Sequence, residues 1–105
     1  MLIKELDDNI VLITVTKNFN SFSNKILEYL KLKKKDLIVF VNNSSNNKLI
    51  KNLIELNNFQ NSINRVMIIV PKNEKEVNFH GKLNLIKSIQ EGVDYILLEK
   101  IQREL

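Results

Sequence analysis

Apolar residues gather in four short unbroken blocks: Ile10-Val11-Leu12-Ile13, Leu37-Ile38-Val39-Phe40-Val41, Val66-Met67-Ile68-Ile69-Val70 and Tyr95-Ile96-Leu97-Leu98. Each block is too short for a typical helix, and most are rich in β-branched residues, which fit a pleated surface. Runs without alternation predict strands covered on both faces, as in a parallel sheet between helices. The intervals between blocks leave room for one helix each.

Before the first block, Leu2 to Leu6 alternates weakly and Asp7-Asp8-Asn9 is a turn signal, so a hairpin is predicted with an antiparallel edge strand. Asn18 to Ser23 reads as a loop, with Ser21 or Ser23 as N-cap of a first helix. Phe22, Ile26 and Leu30, joined by Leu27, form its apolar stripe, and lysines crowd its end. A second helix starts at Asn46 or Asn47, buries Leu49, Ile50, Leu53, Ile54 and Leu56, and stops at Asn57-Asn58, with Phe59 pinning the loop. Pro71 ends ladder pairing after the third block. A third helix is predicted over Lys82 to Glu91, burying Leu85, Ile86 and Ile89, with Gly92 as its left-handed stop. The Tyr95 block then forms the last strand. Glu99 to Leu105 forms a short final helix, with Leu98, Ile101 and Leu105 at i, i+3, i+7.

These elements describe one small α/β domain over residues 1–105. Its sheet is mostly parallel and four- to five-stranded, with helices on both faces through right-handed crossovers and an antiparallel N-terminal edge strand. A chain of 105 residues with 44% apolar content can bury one core. The scarcity of glycine (2) removes the G-x-G-x-x-G and G-x-x-x-x-G-K signatures of nucleotide sites. Without cysteine, thiol catalysis, disulfides and cysteine-ligated metals are excluded. The acidic N-terminal stretch does not read as a secretory signal, and no apolar run approaches the ~18 residues of a membrane span, so a cytoplasmic location is expected.

Candidate chemistry is sparse. His80 is the single histidine; Glu74 and Glu76 precede it without metal-ligand spacing, and no G-x-S-x-G accompanies it. No cofactor, metal site or catalytic set is expected. Asp7-Asp8 reads as a turn and Asp36 as a cap at the head of a strand. The lysines Lys31, Lys33, Lys34 and Lys35, with a net charge of +4, could touch a polyanion. The same lysines suit a solvated helix C-terminus, where cations face the dipole favourably. The polar stretch Asn42-Asn43-Ser44-Ser45-Asn46-Asn47 follows the C-terminal end of a central strand and leads into a helix. Ligands of open α/β sheets bind at that edge, and helix amides there attract anions. Thr16-Lys17 and Pro71-Lys72-Asn73 follow strands on the same edge.

The order of elements resembles the STAS fold of anti-sigma-factor antagonists, which opens with a hairpin and continues α-β-α-β-α-β. In its phosphorylatable members a D-S-S/T-G motif opens a helix, and its first Ser or Thr is phosphorylated by a partner kinase. Asn43-Ser44-Ser45-Asn46 occupies the comparable place here, with Asn for both Asp and Gly. The resemblance implies Ser44 as the phosphorylated position. The stretch Ser88 to Leu97 is also similar to the A-x-x-A-G-A-D-D-Y-L segment of response-regulator receivers. Val41-Asn42 stands where a receiver strand ends in its phosphoacceptor Asp, which implies a degenerate receiver.

The combined expectation is a non-enzymatic regulatory or scaffolding module that acts through protein–protein contacts, made by Asn42, Asn43, Ser44, Ser45 and Asn46. The alternative is a small basic nucleic-acid-associated protein that uses Lys31 to Lys35.

Overall fold

The computed structural model describes residues 2–15, 24–41, 47–72 and 83–104. Asp7 turns the chain back on itself: its Oδ1 accepts the N–H groups of Asn9 (2.6 Å) and Ile10 (2.9 Å). An aspartate that satisfies backbone donors two and three residues on makes a tight turn without glycine. The flanking segments, β1 (Leu2–Glu5) and β2 (Ile10–Val15), pair antiparallel, with Lys4 opposite Leu12.

The chain then alternates helix and strand: α1 (Asn24–Lys33), β3 (Asp36–Val41), α2 (Asn47–Ser62), β4 (Met67–Pro71), β5 (Asn84–Leu85) and α3 (Ile89–Glu104). The five strands lie in the order β1-β2-β3-β4-β5, and every pair after the first is parallel. β1 is thus the expected antiparallel edge strand.

Successive side chains of a strand point to opposite faces, so residue parity sorts the core into two layers. Val11, Ile13, Val15, Leu37, Val39, Val41, Met67 and Ile69 face α1 and α2, where Ile26, Leu30, Leu49, Leu53 and Leu56 cover them. Ile10, Ile38, Ile68 and Val70 face the other way and meet Ile96 of α3. Right-handed crossovers that step in one direction along a sheet place their helices on one face. Both helices that connect β2, β3 and β4 therefore share a layer, and among the described helices α3 covers part of the second.

Two left-handed residues end the first two helices. Lys34 (φ 50°) follows α1 and donates its N–H to Leu30 O at 2.9 Å. Asn64 (φ 58°) stands one residue past Ile63, with Asn64 N donating to Asn61 O and Arg65 N to Gln60 O. That pair of bonds is a Schellman motif, in which asparagine is the usual substitute for glycine. α2 consequently runs past Asn57-Asn58 to Ser62. Asn57 is buried within the helix instead of ending it, and Phe59 packs on the α1–α2 core from inside the helix.

The C-terminal third departs most from the sequence reading. Tyr95 to Leu98 lies inside α3 and is no strand, and the expected helix over Lys82 to Glu91 is replaced by the two-residue strand β5 and the start of α3. Leu85 is 41% exposed, not buried. The expected separate helix over Glu99 to Leu105 is, through Glu104, the second half of α3. Gly92 does not stop a helix; it lies inside one, where a Cβ would stand 3.3 Å from Ile38 Cδ1. Its missing side chain lets α3 lie close on β3 and β4. The start of α3 is set by Ser88, whose Oγ accepts the N–H of Glu91 at 3.1 Å. Ser88-Ile89-Gln90-Glu91 has the S-x-x-E sequence of a capping box.

Candidate functional site

α3 has two apolar faces. At 100° per residue, Ile89, Gly92, Val93 and Ile96 share the side that meets the sheet. Leu98 and Ile101 point away from it and are 62% and 56% exposed. Leu97 (44%) and Tyr95 (37%) flank them on either side. Leu85 of β5 extends the patch through an open groove of about 540 Å³ that Ile86, Glu91, Asp94, Tyr95 and Leu98 also line. The exposed parts of these five large side chains amount to roughly 450 Å², within the range where the largest patch of a monomer tends to be functional. The Leu98, Ile101 stripe read in the sequence is real, but it faces outward, and Tyr95 lies at the surface rather than in the core.

The lower edge of the sheet, where the parallel strands begin, carries a polar cluster. Asp36 heads β3 and is buried. Its Oδ1 accepts Val66 N–H at 2.8 Å, and its carboxylate takes both terminal nitrogens of Arg103 at 2.8 and 3.3 Å. Arg103 also donates to Asn64 O at 2.9 Å. Arg65 donates from Nε to Lys34 O (2.6 Å) and from Nη1 to Asn64 O (2.9 Å). A cleft of about 340 Å³ opens there between Asn9, Asp36, Asn64, Arg65, Lys100 and Arg103.

The ends of α1, α2 and α3 all project carbonyls toward this edge, and helix C-termini favour cations. The arginines are therefore consumed by the fold: they bond the carbonyls of Lys34 and Asn64 just past the ends of α1 and α2, and Arg103 clamps the end of α3 to the head of β3. Nearby Gln60, fully buried, donates from Nε2 to Lys35 O at 2.8 Å, while its Oε1 has no partner among the described residues.

The lysine cluster divides. Lys31, Lys33 and Lys34 are exposed. Lys35 is drawn aside, with its Nζ 3.0 Å from Glu5 Oε1, which also accepts the hydroxyl of Tyr29. The Tyr29 hydroxyl, and then Lys35, hold the Glu5 carboxyl below the usual carboxylate range. The bond to Glu5 pushes the Tyr29 phenol above its ordinary value.

Asn42, Asn43, Ser44, Ser45 and Asn46 lie outside the described residues, as do Thr16, Lys17, Ser21, Phe22, Ser23, Asn73 and His80. Among the described residues no group of three or more His, Cys, Asp or Glu could hold a metal ion. No helix among them is long and apolar enough to cross a membrane. Sequence reasoning missed the exposed α3 face because it placed Tyr95 to Leu98 in the core. No protein-family model, curated protein or solved structure matches the chain.

Proposed function

We propose that this protein is a non-enzymatic regulatory or scaffolding module that works through protein–protein contacts, with the outer face of α3 as its contact surface. The carrying observation is the outward stripe of Leu97, Leu98 and Ile101 on a helix that already buries its opposite side. A helix of a soluble domain normally presents polar groups to water, so a second apolar face is the property of a surface meant to be covered. Aromatic and aliphatic anchors beside charged groups such as Glu91 and Asp94 suit an apolar interface centre with a polar rim.

The STAS-like reading is supported by the antiparallel β1–β2 hairpin followed by α1-β3-α2-β4. In that reading the segment 42–46, which joins β3 to α2, is a second contact region. Phosphorylation of Ser44 would add charge where a helix begins and reset it. A nucleic-acid role rests on Lys31, Lys33 and Lys34, which remain exposed at the end of α1.

Thiol alkylation tests the contact surface. The chain has no cysteine, so Leu98→Cys and, as a control on α2, Lys51→Cys each carry one reporter. Slower alkylation of position 98 in extract of the source cells than in dilute pure protein, with position 51 unchanged, is the expected result. Equal rates at position 98 in both would overturn the proposal.

A further inference from the structure

We infer that the groove between β5 and α3 takes up an extended segment of a partner protein, added as a strand along β5, with a lysine or arginine two residues from an apolar side chain. The inference rests on the contact reading above and names the chemistry of the partner.

The open edge of the sheet is the first argument. β5 is the last strand and pairs with β4 on one side. Ile86 donates its N–H to Ile69 O at 2.9 Å. Backbone groups of successive strand residues point to opposite sides, so the N–H and C=O of Leu85 point away from β4. Leu85 is exposed, and these two groups have no hydrogen-bond partner among the described residues. A donor and an acceptor side by side on an open edge are what a further strand pairs with. A helix bonds its backbone groups internally and has few to offer there.

The wall of the groove is the second. Glu91, Asp94, Tyr95 and Leu98 line it, and they stand at i, i+3, i+4 and i+7, one stripe along the flank of α3. Every second side chain of an added strand points to the α3 side. Two strand residues advance ~6.6 Å, and α3 rises ~6 Å from Asp94 to Leu98. A side chain seated opposite Asp94 therefore sets the next but one opposite Leu98.

Charge names the side chains. The chain carries a net +4, yet the groove sets Glu91 and Asp94 against Lys87. Gln90 donates to Asp94 Oδ1 at 3.2 Å, while Asp94 Oδ2 and the Glu91 carboxylate have no partner among the described residues. A cationic side chain complements these carboxylates, and an apolar one complements Tyr95 and Leu98. The exposed apolar patch is roughly half of the ~800 Å² per partner of a standard interface, which suits a short segment.

Random twelve-residue peptides displayed on phage and selected on the pure natural chain test this. The expected selection shares a lysine or arginine two residues from an apolar side chain. A synthetic copy should bind and protect the Leu85 amide from hydrogen exchange. Glu91→Gln/Asp94→Asn should weaken that peptide about tenfold, and added salt should weaken it on the natural chain. Proline on an edge strand removes an outward N–H and no ladder bond, so Leu85→Pro should bind about tenfold more weakly than Leu85→Ala. Circular dichroism checks that each variant folds, and the charge variant carries the test if Leu85→Pro does not. No selected peptide, or one that leaves the Leu85 amide unprotected or ignores the charge change, overturns the inference. A Leu85 amide already protected in the pure chain overturns it too. If these tests fail yet position 98 is protected from alkylation in extract, another kind of partner covers α3 and only the present inference fails. If position 98 is unprotected as well, the contact reading fails with it.

Discussion

Asp36 and Arg103, 67 residues apart in sequence, meet in a two-pronged ion pair that ties the end of α3 to the head of β3. The Asp36 side chain is almost fully buried, whereas the Arg103 side chain keeps 20% of its surface in water. Among the described residues Arg103→Met leaves Asp36 with the Val66 amide as its partner, and breaking a buried pair from one side costs about 3 kcal/mol. Asp36→Asn/Arg103→Met leaves no unpaired charge and should recover part of that loss. Urea unfolding of the two variants checks the order. Equal stabilities would show that the pair does not hold α3.

Gly92 sets how closely α3 sits on the sheet. An added methyl would meet the mobile tip of Ile38 at 3.3 Å, while alanine favours a helix over glycine by about 1 kcal/mol. Gly92→Ala should therefore change stability by less than about 1 kcal/mol, and Gly92→Val should cost about 1–3 kcal/mol by overpacking. With Ile38→Val, which removes the tip methyl, Gly92→Ala should become stabilising relative to Ile38→Val alone. Thermal unfolding reads all three.

At Lys34 the chain spends a non-glycine residue on a left-handed helix end. Lys34→Gly should stabilise by roughly 0.5–1 kcal/mol, because glycine adopts this conformation without steric cost. Asn64→Ala should destabilise by about as much, since asparagine tolerates the conformation better than alanine. A loss of stability in Lys34→Gly would mean that the lysine side chain contributes more than its backbone costs.

The Glu5–Tyr29–Lys35 group gives the pH dependence a sign. Glu5 titrates lower in the folded chain than unfolded, so its contribution is fully present above the ordinary carboxylate range and fades as pH falls through its lowered value. Tyr29 titrates higher than usual, so its contribution is present below the ordinary phenol range and is lost as pH rises through its raised value. Tyr29→Phe should move the Glu5 titration back up, as followed by carboxyl NMR. An unmoved titration would contradict the contact.

The blocks at Ile10, Leu37 and Val66 were legible because β-branched runs buried on both faces carry their own signature, and the Asp7 turn and the stripe of α2 were equally plain. α3 was not, for a physical reason. A helix announces itself by contrast between faces, and α3 has apolar residues on both, with Lys100 and Arg103 on the side nearer the sheet. Without that contrast Tyr95 to Leu98 looks like one more strand, and Gly92 looks like a stop. The local signal that resists this reading is the Ser88 to Glu91 capping box. The exposure of Leu98 was beyond the sequence, because spacing says which residues share a face and not which face meets the sheet.

The most direct test of the contact account is site-specific photo-cross-linking in the source cells, with the reactive group placed at Leu98 and, as control, at Lys51. The account predicts a discrete protein adduct from Leu98 and none from Lys51. No adduct from Leu98, or equal adducts from both positions, would contradict it.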